Sequence, residues 1–149
     1  MSAGQDEAVG ELADVGSDAD SRWWWEERAR GKFRLPRCQA NGHVYFPPAP
    51  YCPECGEPGF ESIEAFPTGR IYSWVTVHIA FDDAFADLVP YTLVAVDLDD
   101  GPRMIGHLSG GQPDVGITVE LTTWQAHDRF AINFQVIPDR RTDQTGMVP

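Results

Sequence analysis

Three cysteines are the residues of this chain whose type and spacing indicate chemistry most directly. Two of them stand three positions apart as Cys52 and Cys55, followed at once by Gly56, and the third is Cys38. Two thiolates on one tight turn bind a single metal ion, and a zinc site then needs two further ligands. Cys38 lies at a suitable distance along the chain to supply one of them.

The fourth ligand has to come from another residue type. Asn41 stands three positions after Cys38 but is a poor zinc ligand, whereas His43 offers a neutral imidazole. The sequence therefore predicts a closed, structural zinc site. The alternative is that the cysteine turn binds no metal and is held in place by aromatic packing. The predicted ligands are Cys38, His43, Cys52 and Cys55.

The remaining polar residues do not form a catalytic set. His78 follows a long predicted strand, where a lone histidine is typical of a core or rim position. Asp82-Asp83 and Asp99-Asp100 are adjacent pairs, and adjacent residues face opposite sides of a strand or lie solvated in a turn. No Ser/His/Asp series or glycine-rich phosphate loop occurs in the sequence, so we expect no active site of its own.

An aromatic and basic segment precedes the cysteines. Ser21 is expected to cap a helix over residues 22–30 that Gly31 ends. The helix carries three consecutive tryptophans, which cannot all face one core because neighbours on a helix point about 100° apart. Tryptophan and arginine are enriched at interface hot spots, so residues 21–32 are predicted to be a partner-docking helix. Its predicted docking residues are Trp23, Trp24, Trp25 and Arg28.

Both ends of the chain differ from the middle in composition. Residues 1–20 contain six acidic and no basic side chains, half of the net charge of −12, and are predicted to be a disordered acidic tail. Residues 139–149 are polar and are predicted to be a loose tail. No secretory signal and no apolar run of the ~20 residues that a membrane helix needs are present, so a cytoplasmic protein is expected.

The middle of the chain predicts a mainly β fold in two parts. Proline and glycine are too dense in residues 33–66 for regular elements, so a metal is expected to hold this zinc-ribbon-like module. Residues 67–138 contain five β-branched or alternating runs separated by turns, which predicts a five-stranded barrel of the OB type. The predicted strands are 70–79, 91–98, 102–108, 116–124 and 130–137.

In combination these motifs resemble the "domain of unknown function 35" family, over about residues 22–138. That family pairs a rubredoxin-like zinc ribbon with an acyl-CoA-associated OB-fold. The sequence departs from the family pattern where the second ribbon cysteine falls on Asn41 and where a frequent arginine falls on Ala49. The motifs are Trp25-Glu26, Phe46-Pro47-Pro48, Cys52-Pro53-x-Cys55-Gly56, Gly69-Arg70-Ile71-Tyr72-Ser73, Val77-His78 and Pro90-Tyr91.

The resemblance implies a non-catalytic accessory subunit in a hetero-oligomer. Its members are found with thiolase-superfamily enzymes, which perform the carbon–carbon chemistry and bind most of the acyl-CoA. Retro-aldol cleavage of a side-chain hydroxyacyl-CoA, as in steroid degradation, or thiolysis is the implied reaction.

The long loop after the first barrel strand contains apolar residues, which are expected to be covered by other apolar groups. We expect them to contact a partner surface or an acyl-chain channel. These residues are Phe81, Phe85 and Leu88.

Two functions of other classes are less compatible with the sequence. A single-stranded nucleic-acid module is a common use of an OB barrel, but residues 21–149 hold 17 acidic against 11 basic side chains and would repel a polyanion. A stand-alone acyl-CoA hydrolase or binding module is the other alternative. The hydrolase would need a catalytic set, which the sequence lacks.

Overall fold

A computed structural model describes residues 18–81, 83–126 and 129–138 of the chain. The predicted C-terminal tail, Asp82, and all but residues 18–20 of the predicted acidic tail lie outside these ranges. A 3-10 helix, Asp83–Leu88, joins the first two barrel strands. The regular elements are α1 (Arg22–Ala29), β1 (Arg34–Cys38), β2 (Phe60–Glu64), β3 (Thr68–Val77), β4 (Tyr91–Leu98), β5 (Arg103–Ser109), β6 (Thr118–Ala126) and β7 (Arg129–Val136).

The last five strands close into a barrel in the order β3-β4-β5-β7-β6. Neighbours are antiparallel except for β5 and β7, which run parallel. The long strand β3 makes closure possible because its start pairs with β6 and most of its length pairs with β4. Its register against β4 shifts between Ile71 and Ser73, an irregularity of the kind that a β-bulge introduces. The predicted mainly β fold with an OB-type barrel is confirmed.

Alternating apolar residues fill the barrel. On β4, the buried positions Val94, Val96 and Leu98 alternate with half-buried ones. They meet Met104 of β5 and Phe134 of β7 in one hydrophobic cluster. Burial of such side chains contributes roughly 1.5–3 kcal/mol each to stability, so the barrel supplies most of the core.

Gly69 lies where β3 approaches the backbone of β4 closely. A Cβ atom at this position would lie 2.4 Å from the carbonyl oxygen of Asp97 and 2.9 Å from the Cα of Leu98. Backbone atoms of a paired strand have little room to shift. We therefore expect Gly69→Ala to lower the free energy of unfolding by about 1–3 kcal/mol or more, measured by denaturant unfolding.

Gly111→Ala is the matched control for this prediction. The three atoms nearest to a Cβ there would belong to the side chain of Val136, at 3.1–3.5 Å. That side chain has some freedom to shift, so a change below about 1 kcal/mol is expected. Equal stabilities of the two variants would contradict the tight β3–β4 approach.

The segment between the helix and the barrel contains regular structure after all. β1 and β2 form a two-stranded antiparallel sheet from Arg34 opposite Glu64 to Cys38 opposite Phe60. The prediction that residues 33–66 lack regular elements is therefore wrong. Among the described residues, β2 is the one strand that pairs with β1, whose other side makes only an isolated bridge, between Arg37 and Val44. Pro36 is tolerated at such an edge, where its carbonyl accepts from the N–H of Tyr45 at 3.1 Å.

The helix α1 lacks a side-chain cap at its start but ends in a common way at a glycine. Ser21 occupies the N-cap position, but its hydroxyl donates to Oδ2 of Asp18 at 2.9 Å and makes no capping bond. The expected serine cap is therefore absent. At the other end Gly31 has a φ of 78°, the left-handed conformation that ends many helices. None of the helices in the described ranges has the length and apolar character needed to cross a bilayer.

Candidate functional site

The three cysteines converge on one point of the ribbon. Their Sγ atoms all lie within 4.8 Å of one another, and Cys38 and Cys55 are 3.7 Å apart. Cys38 ends β1, whereas Cys52 and Cys55 belong to a later turn, residues 52–56. Three converging thiols are suitable donors for a structural zinc ion. Within the described ranges, no other group of three potential metal ligands lies this close together.

The turn after Cys52 prepares that thiol for metal binding. The N–H of Gly56 donates to the carbonyl oxygen of Cys52 at 2.8 Å, which closes the turn. Burial opposes ionisation of the Cys52 thiol, but hydrogen bonds from the N–H groups of Cys55 and Glu54 hold its pKa below the ordinary value. The thiolate is the metal-binding form of cysteine, so these backbone hydrogen bonds favour Cys52 as a metal ligand.

Cys55 lies in a different electrostatic environment. The N–H of Glu57 lowers the pKa of its thiol, but burial and the thiols of Cys38 and Cys52 outweigh this and raise that pKa. Like charges in close contact cannot all ionise cheaply. A bound zinc ion would offset this repulsion and cross-link the two parts of the ribbon.

His43 lies outside the group of three cysteines. Its Nδ1 is 2.9 Å from a carboxylate oxygen of Glu54, and its ring stacks on Tyr45 with 6.3 Å between centroids. The residue that approaches the cysteines is Asn41, whose Oδ1 lies 3.9 Å from Sγ of Cys52. The role of His43 as the fourth ligand therefore stays a prediction that no contact of the imidazole supports.

The tryptophan helix is packed more deeply than predicted. Trp24 is 1% exposed and lies 4.9 Å from Trp25 and 5.1 Å from Phe46 between ring centroids. Contrary to the prediction, it is not available to a partner. The rings of Phe33 and Phe46 pack against Trp24, and Trp23 and Trp25 are partly buried against the same hydrophobic cluster.

The neighbouring docking candidates on α1 are half-buried. Trp23 stacks on Phe60 with 5.5 Å between ring centroids. The guanidinium of Arg28 lies 5.9 Å from the ring centroid of Phe33, and burial lowers its pKa. These side chains mainly attach the helix to the ribbon and to β1.

The loop after β3 separates its three candidate residues. Phe85 packs on the barrel, with ring centroids 5.6 Å from His107 and 6.1 Å from Tyr91. Burial in this cluster lowers the pKa of His107. Leu88 is half-buried, whereas Phe81 is 95% exposed. Phe81 is thus the member of the set that is free to meet another molecule.

Further exposed apolar residues lie beside Phe81 and were not predicted as site residues. Val75 is 58% and Ile79 74% exposed, and both precede Phe81 along the end of β3 and the loop. We call Val75, Ile79 and Phe81 the β3-exit surface. The sequence does contain a signal for this surface, because the segment of β3 is apolar on both faces. A strand with one face in water normally alternates between apolar and polar residues.

Two family models match the chain in succession. Residues 25–61 match the rubredoxin-like zinc ribbon domain of ChsH2, and residues 63–124 match its C-terminal OB-fold domain. The boundary between the matches falls within β2, where the ribbon sheet ends and the barrel segment begins.

Several known proteins are similar to this chain in sequence. A DUF35 domain-containing scaffold protein of Pyrococcus furiosus is 33% identical over 108 residues, which cover 69% of this chain and 76% of that protein. A second scaffold protein of that description, from Methanothermobacter thermautotrophicus, is 31% identical over 67% of this chain and 77% of its own length. A probable enoyl-CoA hydratase alpha subunit of Thermomonospora curvata is 33% identical over 76% of this chain, which spans only 36% of that longer protein.

Solved structures agree with the sequence matches. A chain of an Ltp2-ChsH2(DUF35) aldolase is 29% identical with a TM-score of 0.69, covering 80% of this chain and 95% of that one. A DUF35 protein of unknown function from Sulfolobus solfataricus has a TM-score of 0.59 over 89% of this chain and 96% of its own; at 14% identity this is a likeness of fold alone. The chain therefore belongs to the DUF35 family, with a ChsH2-like zinc ribbon that precedes an OB-fold barrel.

Proposed function

We propose that the chain is a non-catalytic accessory subunit that docks on a thiolase-fold enzyme and supports carbon–carbon bond cleavage of an acyl-CoA. The observation that carries this proposal is its likeness to the ChsH2-type chain of an aldolase complex over 95% of that chain. Because that neighbour is named an aldolase, retro-aldol cleavage of a side-chain hydroxyacyl-CoA is favoured over thiolysis. Zinc bound by the ribbon cysteines would have a structural role.

The chemistry of the described side chains supports a subunit without its own active site. The three cysteines are gathered in the ribbon, and His43 pairs with Glu54. His107 is packed against Phe85 and Tyr91 on the barrel wall. Acid–base or nucleophilic catalysis needs a positioned pair of such groups beside a pocket, so we assign the reacting groups to the partner.

The β3-exit surface supports a docking role. Its three side chains are exposed apolar residues within seven positions of the chain, and exposed apolar surface of this kind is typical of interaction sites. A partner that covers them would remove apolar area from water. It would also gain a rigid barrel wall, which excludes water from a neighbouring acyl-CoA channel.

The test is co-expression of the chain with the thiolase-like protein encoded nearest to it. Sizing chromatography and an acyl-CoA cleavage assay are then run on the complex and on each component alone. We expect a stoichiometric complex with an activity that neither component has. A chain that ignores the thiolase, or that turns over an acyl-CoA by itself, would overturn the proposal.

Variants locate the docking surface within that experiment. The double variant Ile79→Ser/Phe81→Ser should weaken the complex about tenfold or more, because each of the two substitutions removes an apolar contact worth on the order of 1 kcal/mol. Val115→Ser is the matched control, since Val115 is 65% exposed but lies in the turn before β6. Equal weakening by both variants would argue against the β3-exit surface.

A further inference from the structure

The ribbon contains two turns with the same backbone geometry, residues 38–42 and 52–56, which we call the first and second knuckle. In each, the N–H of the closing glycine donates to the carbonyl of the opening cysteine, at 2.9 Å for Gly42 and 2.8 Å for Gly56. Both glycines have a φ of 76°, a conformation that L side chains rarely adopt. The two knuckles therefore correspond position by position.

Asn41 therefore occupies the position in the first knuckle that Cys55 occupies in the second. The distances across the site agree with it. Sγ of Cys38 lies 3.7 Å from Sγ of Cys55, and Sγ of Cys52 lies 3.9 Å from Oδ1 of Asn41. The amide oxygen thus completes a set of four donor atoms with the three sulfurs.

The surroundings of the two equivalent donors also match. The N–H of His43 donates to Oδ1 of Asn41 at 2.9 Å. His43 and Glu57 hold equivalent positions after the two knuckles, since the N–H of Cys38 donates to the carbonyl of His43 at 2.8 Å and the N–H of Cys52 donates to the carbonyl of Glu57 at 3.0 Å. A hydrogen bond to a ligand atom holds it in place and orients it towards a metal. The N–H of His43 therefore holds the Asn41 oxygen at the ligand position of the first knuckle.

His43 contributes its backbone to this arrangement rather than its ring. The imidazole Nδ1 lies 2.9 Å from Oε2 of Glu54, and the ring stacks on Tyr45. Both contacts hold the imidazole apart from the three cysteines. Recruiting it as a ligand would mean breaking the Glu54 contact and displacing a stacked ring.

We propose that Oδ1 of Asn41, and not His43, is the fourth donor of the metal site, so that the ribbon binds zinc through three thiolates and one amide oxygen. Zinc binds thiolate and imidazole in most structural sites, and a neutral oxygen is a weaker donor. The site would therefore bind zinc less tightly than one with four cysteines. This inference rests on the ribbon alone and does not depend on the proposed partner.

The test uses the full chain under reducing conditions with two metal probes. Zinc affinity is measured by competition with a chromophoric chelator, and Co²⁺ is added to record the thiolate-to-metal absorption. Asn41→Cys should bind zinc at least about tenfold more tightly, and its cobalt absorption should rise as expected for four thiolates in place of three. Asn41→Ala should bind zinc several-fold more weakly.

His43→Gln is the matched control, since it replaces the imidazole and leaves the backbone N–H to Asn41. We expect its zinc affinity and cobalt spectrum to equal those of the natural chain. A weaker zinc affinity and altered spectrum in His43→Gln, with Asn41→Ala unchanged, would overturn the proposal. So would an Asn41→Cys variant with unchanged affinity and absorption, or a natural chain that binds neither metal. Far-ultraviolet circular dichroism confirms that each compared variant is folded.

Discussion

Replacing Cys52 with serine is expected to abolish zinc binding and to unfold the ribbon while the barrel stays folded. Phe33 and Leu35 of the ribbon pack in the large cluster that includes barrel residues. The knuckles themselves have only a small buried cluster, which comprises Cys38, Tyr45 and Cys52 with Ala49 and Phe60 packed against it. A core of this size is too small to hold the module, whereas structural zinc contributes roughly 10–16 kcal/mol in small zinc-binding domains. The zinc content of purified protein should fall from near one per chain to near zero.

The measurement combines metal analysis with thermal unfolding before and after chelation. In the natural chain, chelation should produce a separate low-temperature transition for the ribbon, and Cys52→Ser should show that transition without chelator. Tyr51→Ser is the control, since Tyr51 is the exposed neighbour of Cys52 and its loss should leave zinc bound. A natural chain free of zinc, with a melting temperature indifferent to chelation, would favour the empty, packed knuckle.

Trp24→Ala should lower the free energy of unfolding by about 3–5 kcal/mol, a typical cost of removing a fully buried aromatic side chain. Trp24 contacts Trp25, Phe33 and Phe46, so its removal leaves a cavity where helix, ribbon and β1 meet. Typical domains have a total stability of 5–15 kcal/mol. The variant therefore loses a large share of its stability, measured by denaturant unfolding followed by circular dichroism.

Two variants make this prediction specific. Trp24→Phe should cost less than Trp24→Ala, because it keeps a ring in the cavity and removes an indole N–H that has no hydrogen-bond partner among the described residues. Trp23→Ala should also cost less, since Trp23 is only half-buried. A cost for Trp24→Ala no greater than that for Trp23→Ala would contradict the assignment of Trp24 to the core.

The barrel could be predicted from the sequence because its signal is local and repeated. β4 occupies residues 91–98 as predicted, with buried and half-buried side chains alternating along its second half. A period of two is imposed by strand geometry itself, so the sequence pattern and the structure have the same cause. The cysteine cluster could also be predicted, because the spacing of the cysteines is typical of a ribbon and allows few other arrangements.

The strands of the ribbon and the burial of Trp24 could not be predicted, because both depend on contacts between residues that are distant in the sequence. Proline at position 36 argues against a strand until it is known that β1 has a single strand neighbour. The depth of Trp24 depends on Phe33 and Phe46, which approach it only in the folded chain. The prediction of His43 ranks ligands by chemical type, whereas the proposal for Asn41 rests on the backbone of the knuckle, which only the folded chain shows.

The double pairing of β3 has a consequence for synthesis on the ribosome. Thr68 pairs with Glu120 at one end of the strand, while Val77 pairs with Tyr91 at the other. The barrel cannot close until β6 and β7 have emerged, because non-local pairings wait for their distant partners. The ribbon, whose sheet is complete at Glu64, has all its cysteines available earlier. Metal capture can therefore precede barrel closure and give the nascent chain its first folded unit.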